Sequence, residues 1–225
     1  MCTERLITSN GQIHLESGLF FFECFSFHKS VLSFAYMNLA LKLTVFRILL
    51  GPIFVLCFIK TAEQPQLLWA ALALAFISEL SDLLDGIIAR RYNMVTDLGK
   101  VLDPLADSIS RLSIFLAFFQ MGHANIWMIL IFFYRDSLVS TLRIVAASRS
   151  LILSARKSGK IKAVVQAISV FGVILTLLAS QYSIPLYFEP EQIIFAFMSL
   201  AVLITLYSLW DYLYSNRPII SELLN

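Results

Sequence analysis

Long apolar stretches alternate with short polar segments along most of this chain. From about residue 41 onward, six stretches come close to the roughly 20 residues that an α-helix needs to cross about 30 Å of hydrocarbon. These stretches are residues 41–59, 67–89, 101–120, 126–147, 163–182 and 191–213. The pattern predicts an all-α fold, namely a polytopic membrane protein with six transmembrane helices.

The composition agrees with a lipid bilayer as the main solvent. Of the 225 residues, 59% are hydrophobic and 14% are charged, whereas about a quarter of the residues are charged in an ordinary soluble domain. The formal net charge is only +2, and the basic residues form no long stripe, so we predict membrane lipids and no nucleic acid as partners.

The basic residues predict an orientation. Two polar connections, after the second and fourth apolar stretches, carry eight of the 17 Lys and Arg residues, whereas the three opposite connections carry only one, Lys60. The residues concerned are Arg90, Arg91, Lys100, Arg149, Arg156, Lys157, Lys160 and Lys162. By the positive-inside rule these two connections are cytoplasmic, and with six crossings both termini lie on that side as well.

Residues 1–36 differ from the rest, since polar residues are scattered through them and a Phe-rich patch at 20–27 is too short to span. One interpretation is an amphipathic helix at the membrane surface. The other is an upstream extension, with Met37 as the functional start. We therefore divide the chain into an N-terminal extension or interfacial helix, 1–36, and a membrane domain, 37–225.

Four aspartates mark the place where the second and third apolar stretches meet the predicted cytoplasmic interface. Asp82 and Asp85 lie in SDLLDGIIARR, and Asp103 and Asp107 lie in VLDPLADS. Ionisable groups in membrane segments cost several kcal/mol unless they are paired, hydrated or bound to a cation, and they usually mark a function. Spacings of three and four residues place each pair on one helical face. If the two faces meet, two divalent ions would balance the four charges.

Carboxylates without a neighbouring His or Cys favour hard ions, so we predict two ions of Mg²⁺ or Mn²⁺. Such ions commonly handle phosphate, and one carboxylate would remain to accept a proton from an attacking hydroxyl. Gly86 and Ala89 leave room for a nucleotide beside the helix, and Arg90 is available for phosphate. A divalent-cation channel or transporter is the alternative, but it does not account for these last three residues.

The aspartates belong to a longer pattern, D-x2-D-G-x2-A-R-x8-G-x3-D-x3-D, with every specified position filled. This pattern resembles that of the CDP-alcohol phosphatidyltransferase family. The resemblance implies that Asp82, Asp85 and Asp103 hold two metal ions. It implies that Asp107 is both a metal neighbour and the general base. The residues that it assigns to the CDP-lipid are Gly86, Ala89, Arg90, Thr96 and Gly99.

Other segments are similar to bacterial phosphatidylglycerophosphate synthases within this family. In MNLALKLTVFRILLGPIF, Asn38, Thr44 and Arg47 match, although Ala-Leu replaces the usual Pro-Asn. YRDSLVSTLR resembles R-E-x3-S-x-L-R with Asp136 in place of Glu, and SGKIKAVVQ resembles G-K-x-K-x3-Q. The similarity covers about residues 37–180.

This similarity implies phosphatidyl transfer from CDP-diacylglycerol to glycerol 3-phosphate in a bacterial inner membrane, by an enzyme that forms homodimers. Other acceptors, such as serine, inositol phosphate or phosphatidylglycerol, stay open. A phosphorylated acceptor needs cationic donors, and the candidates are Arg135, Arg143, Lys160 and Lys162. For the lysines, the alternative is a role in topology and lipid headgroup contact. For the arginines it is an ion pair with Asp136 or Glu79.

Overall fold

The computed structural model describes residues 44–91, 97–149, 151 and 156–224, and its side-chain description leaves out residues 83, 85–104 and 222–224. Helices and short turns account for the described residues, which contain no strand, so the prediction of an all-α chain is confirmed for them. The helices are α1 Thr44–Ala62, α2 Leu67–Arg91, α3 Asp97–Gln120, α4 Ile126–Ser148, α5 Lys157–Gln181, α6 Pro190–Ser215 and α7 Arg217–Leu224.

Three of the described helices, α1, α5 and α6, are long and apolar enough to cross a membrane. Helices α2, α3 and α4 have 25, 24 and 23 residues, but they carry carboxylates and guanidinium groups within their length. Six crossings therefore remain a prediction. Helices α3 and α5 also begin before the apolar stretches do, at Asp97 and Lys157, because polar residues can continue a helix beyond the hydrocarbon layer.

Helix α1 buries one narrow stripe and exposes its other faces. The buried positions recur every three or four residues, which is the spacing of one helical face, and they include Thr44, Arg47, Gly51, Phe54 and Phe58. A Cβ at Gly51 would lie only 2.9 Å from Ser113 Oγ on α3, so the glycine allows a close approach of these helices. The stripe is polar at its beginning and aromatic at its end.

An aromatic layer holds α1, α3 and α4 together beyond this polar end. The rings of Phe115 and Phe132 stack with centroids 4.4 Å apart, and those of Phe58 and Phe118 meet edge to face at 5.1 Å. All four side chains are buried. Because Asp107 precedes Phe115 by about two turns on α3, the polar residues of that helix lie at one end of the bundle, next to a closely packed core.

Helices α5 and α6 pack closely through small residues. A Cβ at Gly172 would lie 2.6 Å from the ring of Phe197, and the hydroxyl of Ser169 donates a 2.9 Å hydrogen bond to the carbonyl of Phe197. Three residues earlier on α5, Gln166 Nε2 donates to Thr205 Oγ1 over 3.1 Å. This packing brings the beginning of α5 beside the end of α6, where the basic residues lie.

Candidate active site

Helices α1 and α2 are joined by an ion pair at the first predicted metal ligand. Arg47 Nη1 lies 2.9 Å from Asp82 Oδ1. The guanidinium is buried, whereas the Asp82 side chain stays 44% exposed. The pair thus orients the carboxylate from behind and leaves it accessible.

Arg111 makes the corresponding contact with Asp107 on α3. Its Nη2 donates a 2.9 Å hydrogen bond to Asp107 Oδ1, and its Nη1 donates over 3.0 Å to the carbonyl of Ala163 on α5. Nη2 also lies 3.6 Å from Glu79 Oε1 on α2. The spacing from 107 to 111 is one helical turn, so both side chains share a face. One buried guanidinium therefore connects three helices at the proposed base.

These groups line a narrow polar cavity between α1, α2 and α3. Arg47, Glu79, Asp82, Asp107 and Arg111 all contribute to it. The hydroxyls of two further lining residues, Ser78 and Ser110, are 3.0 Å apart and share a hydrogen bond. The structure thus brings together two of the four predicted aspartates, Asp82 and Asp107, in the lining of one cavity, here named the aspartate cavity.

A second, larger cavity of about 290 Å³ lies on the other side of Asp107, between α3, α4, α5 and α6. All four basic residues predicted for the acceptor line it. They are Arg135, Arg143, Lys160 and Lys162. This second cavity is here named the basic cavity. Asp107 lines both cavities, so it lies at the boundary between the aspartate cavity and the basic cavity.

Two of these basic residues are held by a buried carboxylate. Lys162 Nζ donates to both oxygens of Asp136 over 2.8 and 3.0 Å. Arg135 Nη1 donates to Asp136 Oδ1 over 3.0 Å, and its Nη2 donates to Ser208 Oγ on α6 over 2.9 Å. The ion pair between Arg135 and Asp136, one of the alternatives drawn from the sequence, is therefore present.

The other two basic residues differ from this pair. Within the part of the chain that the structure describes, neither Arg143 nor Lys160 forms an ion pair, and both line the cavity. Arg156, at the same cavity, pairs with Asp211 on α6 over 3.1 Å, and this hydrogen-bonded carboxylate raises the pKa of Arg156 above its usual value. Among the described residues, the cavity wall thus combines cations paired with a carboxylate and cations without such a pair.

The remaining predicted site residues lie outside the described side chains. Six of them belong to described helices, namely Asp85, Gly86, Ala89, Arg90, Gly99 and Asp103, and Thr96 lies outside the described residues. Among the described residues, no three His, Cys, Asp or Glu side chains come close enough together to hold a metal ion. The side chains of Asp82 and Asp107 are described, and they are 44% and 34% exposed. Carboxylate oxygens are a donor type that fits Mg²⁺ or Mn²⁺.

Arg111 and Asp211 were not among the residues predicted from the sequence. Arg111 could have been found from the sequence, because it lies one helical turn after Asp107 in an apolar stretch. A charged side chain in such surroundings is costly unless it is paired. Asp211 accepts hydrogen bonds from Arg156 and Ser158 across 55 and 53 residues of sequence. A local sequence pattern does not predict a contact between residues so far apart in the chain.

Comparisons with known proteins identify the family of this chain. A model of the CDP-alcohol phosphatidyltransferase family matches residues 37–207. The CDP-diacylglycerol–glycerol-3-phosphate 3-phosphatidyltransferase of Bacillus subtilis is 32% identical over 191 residues, which are 80% of this chain and 95% of that protein. A probable phosphatidylglycerophosphate synthase of Mycobacterium tuberculosis is 31% identical over 144 residues, or 62% of this chain and 67% of that protein. The family resemblance drawn from the aspartate pattern is thereby confirmed: this chain, a membrane protein with strongly apolar helices, belongs to the CDP-alcohol phosphatidyltransferase family.

Proposed function

We propose that this chain transfers the phosphatidyl group of CDP-diacylglycerol to glycerol 3-phosphate and so produces phosphatidylglycerophosphate and CMP. The observation that carries this proposal is the position of Asp107, which lines both the aspartate cavity and the basic cavity. A general base in this reaction has to reach the acceptor hydroxyl beside the activated phosphorus. The printed names of the relatives in Bacillus subtilis and Mycobacterium tuberculosis support the same reaction.

The basic cavity suits an acceptor that carries a phosphate. Five cationic side chains line it, against the two carboxylates of Asp107 and Asp136. Cations without a carboxylate partner are the ones available to an incoming phosphate, and charge-assisted hydrogen bonds to phosphate are strong in partly desolvated sites. Arg143 and Lys160 are therefore the direct phosphate contacts in this proposal. Arg135 and Lys162, both bound to Asp136, form the wall behind them.

The reaction follows from this placement. Asp107 accepts the proton of a primary hydroxyl of glycerol 3-phosphate, and the hydroxyl oxygen attacks the lipid-side phosphorus of CDP-diacylglycerol. A new P–O bond forms to the glycerol while the P–O bond to CMP breaks, so CMP departs with the bridging oxygen. With its phosphate in the basic cavity, the acceptor presents its hydroxyl near the boundary where Asp107 lies, and this orientation lowers the entropic part of the barrier.

Two Mg²⁺ or Mn²⁺ ions belong to this proposal, with Asp82, Asp85, Asp103 and Asp107 as their ligands. When bound, such ions neutralise the diphosphate and the departing CMP. The partly exposed carboxylates of Asp82 and Asp107 support the assignment by their donor chemistry. The proposed contacts with the CDP-lipid are Gly86, Ala89, Arg90, Thr96 and Gly99.

The proposed setting is a bacterial inner membrane crossed six times. Three apolar helices support it, and the distribution of basic residues favours a cytoplasmic active site and cytoplasmic termini. We further propose that the chain forms homodimers. In this proposal, residues 37–225 are the membrane domain and residues 1–36 are an N-terminal extension or an interfacial helix.

The test is release of CMP from CDP-diacylglycerol by the purified chain in detergent. We expect the release of CMP to require glycerol 3-phosphate and a divalent ion, either Mg²⁺ or Mn²⁺. When glycerol 3-phosphate is radiolabelled, the label should appear in the lipid product. A panel containing serine, inositol phosphate and phosphatidylglycerol separates the alternative acceptors. Divalent-cation flux into proteoliposomes without CMP release would instead favour a channel or transporter and would overturn the proposal.

A further inference from the structure

We infer that Arg111 is a positioning residue for Asp107, holding one oxygen of the proposed base so that the other is presented to the acceptor. The inference rests on the proposed phosphatidyl transfer in assigning the base. It concerns a residue outside the aspartate pattern and outside the set of basic residues that the sequence suggested.

The first support is a two-point attachment. A guanidinium is planar, and its donors keep a fixed relative direction. Nη1 of Arg111 is anchored on the backbone of α5 at Ala163, while Nη2 donates to Asp107 Oδ1. A backbone carbonyl within a helix does not rotate as a side chain does. The direction of the second hydrogen bond is therefore set by the packing of α3 against α5.

The second support is the place of this anchor. Ala163 lines the basic cavity, and the same helix contributes Lys160 and Lys162 to that cavity. Arg111 thus fixes the position of the proposed base relative to α5, the helix that carries these two lysines. Proton transfer depends on the distance between the Asp107 carboxylate and the acceptor hydroxyl. In this arrangement, the buried side chain of Arg111 controls that distance.

The third support is the unequal use of the two carboxylate oxygens. Among the described residues, Asp107 accepts hydrogen bonds at Oδ1 only, and 34% of its side chain remains exposed. An ordinary surface ion pair along a helix leaves both partners mobile and contributes little. Here the arginine is buried and the carboxylate is partly open, which is the arrangement that a directed proton acceptor needs.

A double-mutant cycle in turnover tests the inference. Arg111→Met should lower kcat about ten- to a hundredfold, the usual effect of losing one charge-assisted hydrogen bond. The KM of each substrate should stay within about threefold of the wild-type value, because the substitution does not change how the substrates bind in the ground state. In an Asp107→Asn background the same substitution should lower the residual kcat by less than about threefold, because residues that act as one unit are non-additive. An equal loss in both backgrounds, or a rise in KM at unchanged kcat, would overturn the inference.

A second variant covers a loss of folding. Arg111→Lys keeps the buried charge but cannot donate in two fixed directions as a guanidinium does. Its kcat should therefore lie between those of the wild type and Arg111→Met. In the Asp107→Asn background, the loss of kcat caused by Arg111→Lys should likewise disappear. The matched control is Ser169→Ala, which removes an interhelical hydrogen bond between α5 and α6 without touching either cavity. It should lower the melting temperature and leave kcat in place; if it reduces kcat as much as Arg111→Lys does, Arg111 is only a packing residue.

The acceptor panel keeps the two proposals apart. If the wild type releases CMP with an acceptor other than glycerol 3-phosphate, the proposed function is wrong in its acceptor, and the cycle is measured with the acceptor that works. If glycerol 3-phosphate is used but the cycle is additive, the inference alone fails. A folded wild-type chain that releases no CMP with any acceptor would overturn both.

Discussion

Lys162 Nζ on α5 lies 2.8 Å from Asp136 Oδ1 on α4, and the two side chains are only 5% and 7% exposed. Arg135 shares the same carboxylate and reaches Ser208 on α6. Asp136 therefore connects α4 with α5, and Arg135 extends this network to α6 beside the basic cavity. Because two of the predicted acceptor contacts are held in this way, their contribution to stability has to be separated from any contribution to binding.

Asp136→Asn should be strongly destabilising, because it leaves the buried cation Lys162 and the partly buried Arg135 without their carboxylate. Breaking a buried ion pair from one side costs about 3–5 kcal/mol. The free energy of unfolding, measured by denaturant titration in detergent micelles, checks this. The matched control is Glu63→Gln at an exposed turn, expected within about 0.5 kcal/mol of the wild type. A similar small change for Asp136→Asn would mean that water reaches this group.

Arg143→Ala should act on the acceptor rather than on the lipid donor. If Arg143 contacts the acceptor phosphate, its loss raises the KM for glycerol 3-phosphate by about one to two decades, with a much smaller change for CDP-diacylglycerol. Lys157→Ala, an exposed cation outside the basic cavity, is the control and should leave both constants unchanged. Equal weakening towards both substrates would assign Arg143 a structural role.

Asp107→Asn and Asp82→Asn should respond differently to Mg²⁺. The first removes the proton acceptor and should lower turnover by about two to four decades at every Mg²⁺ concentration. The second weakens a metal ligand, so that additional Mg²⁺ recovers part of the rate. Rate measured against Mg²⁺ concentration for both variants shows the contrast. Recovery of Asp107→Asn to the same extent would make Asp107 a ligand only and would place the base elsewhere.

A chain that starts at Met37 should insert into membranes and retain transfer activity. The family model begins its match at residue 37, and every residue proposed for the site follows it. Membrane fractionation and CMP release, compared at equal protein amount, provide the measurement. Normal insertion with lost transfer would show that residues 1–36 take part in the active site or in lipid entry.

Much of the architecture follows from short-range patterns. Apolar stretches of helical length predict membrane helices, and the spacing of Asp82, Asp85, Asp103 and Asp107 predicts which of their side chains share a face. Both depend on the geometry of a single helix, with its 3.6 residues per turn. The family assignment also rests on spacing within one segment, and the comparisons confirm it.

The partners of the charged side chains were decided by tertiary structure. Arg135 and Asp136 are recognisable in the sequence as costly charges in an apolar stretch, but the sequence left open whether Arg135 binds substrate or pairs with a carboxylate. Lys162 was predicted in a polar connection, with acceptor binding or lipid headgroup contact as its possible roles. Lys162 and Asp136 are 26 residues apart, and their contact requires a particular rotation and approach of α4 and α5.

The same holds for Arg111, whose second anchor at Ala163 lies 52 residues away. Helix rotation is set by packing, including close approaches such as those at Gly51 and Gly172, and packing depends on all neighbouring helices at once. Residue spacing along the chain therefore predicted which aspartates belong to the proposed site, but it did not predict Arg111. The packed bundle determined which oxygen of Asp107 is held, because a hydrogen bond depends on distances of a few tenths of an ångström that no helical periodicity specifies.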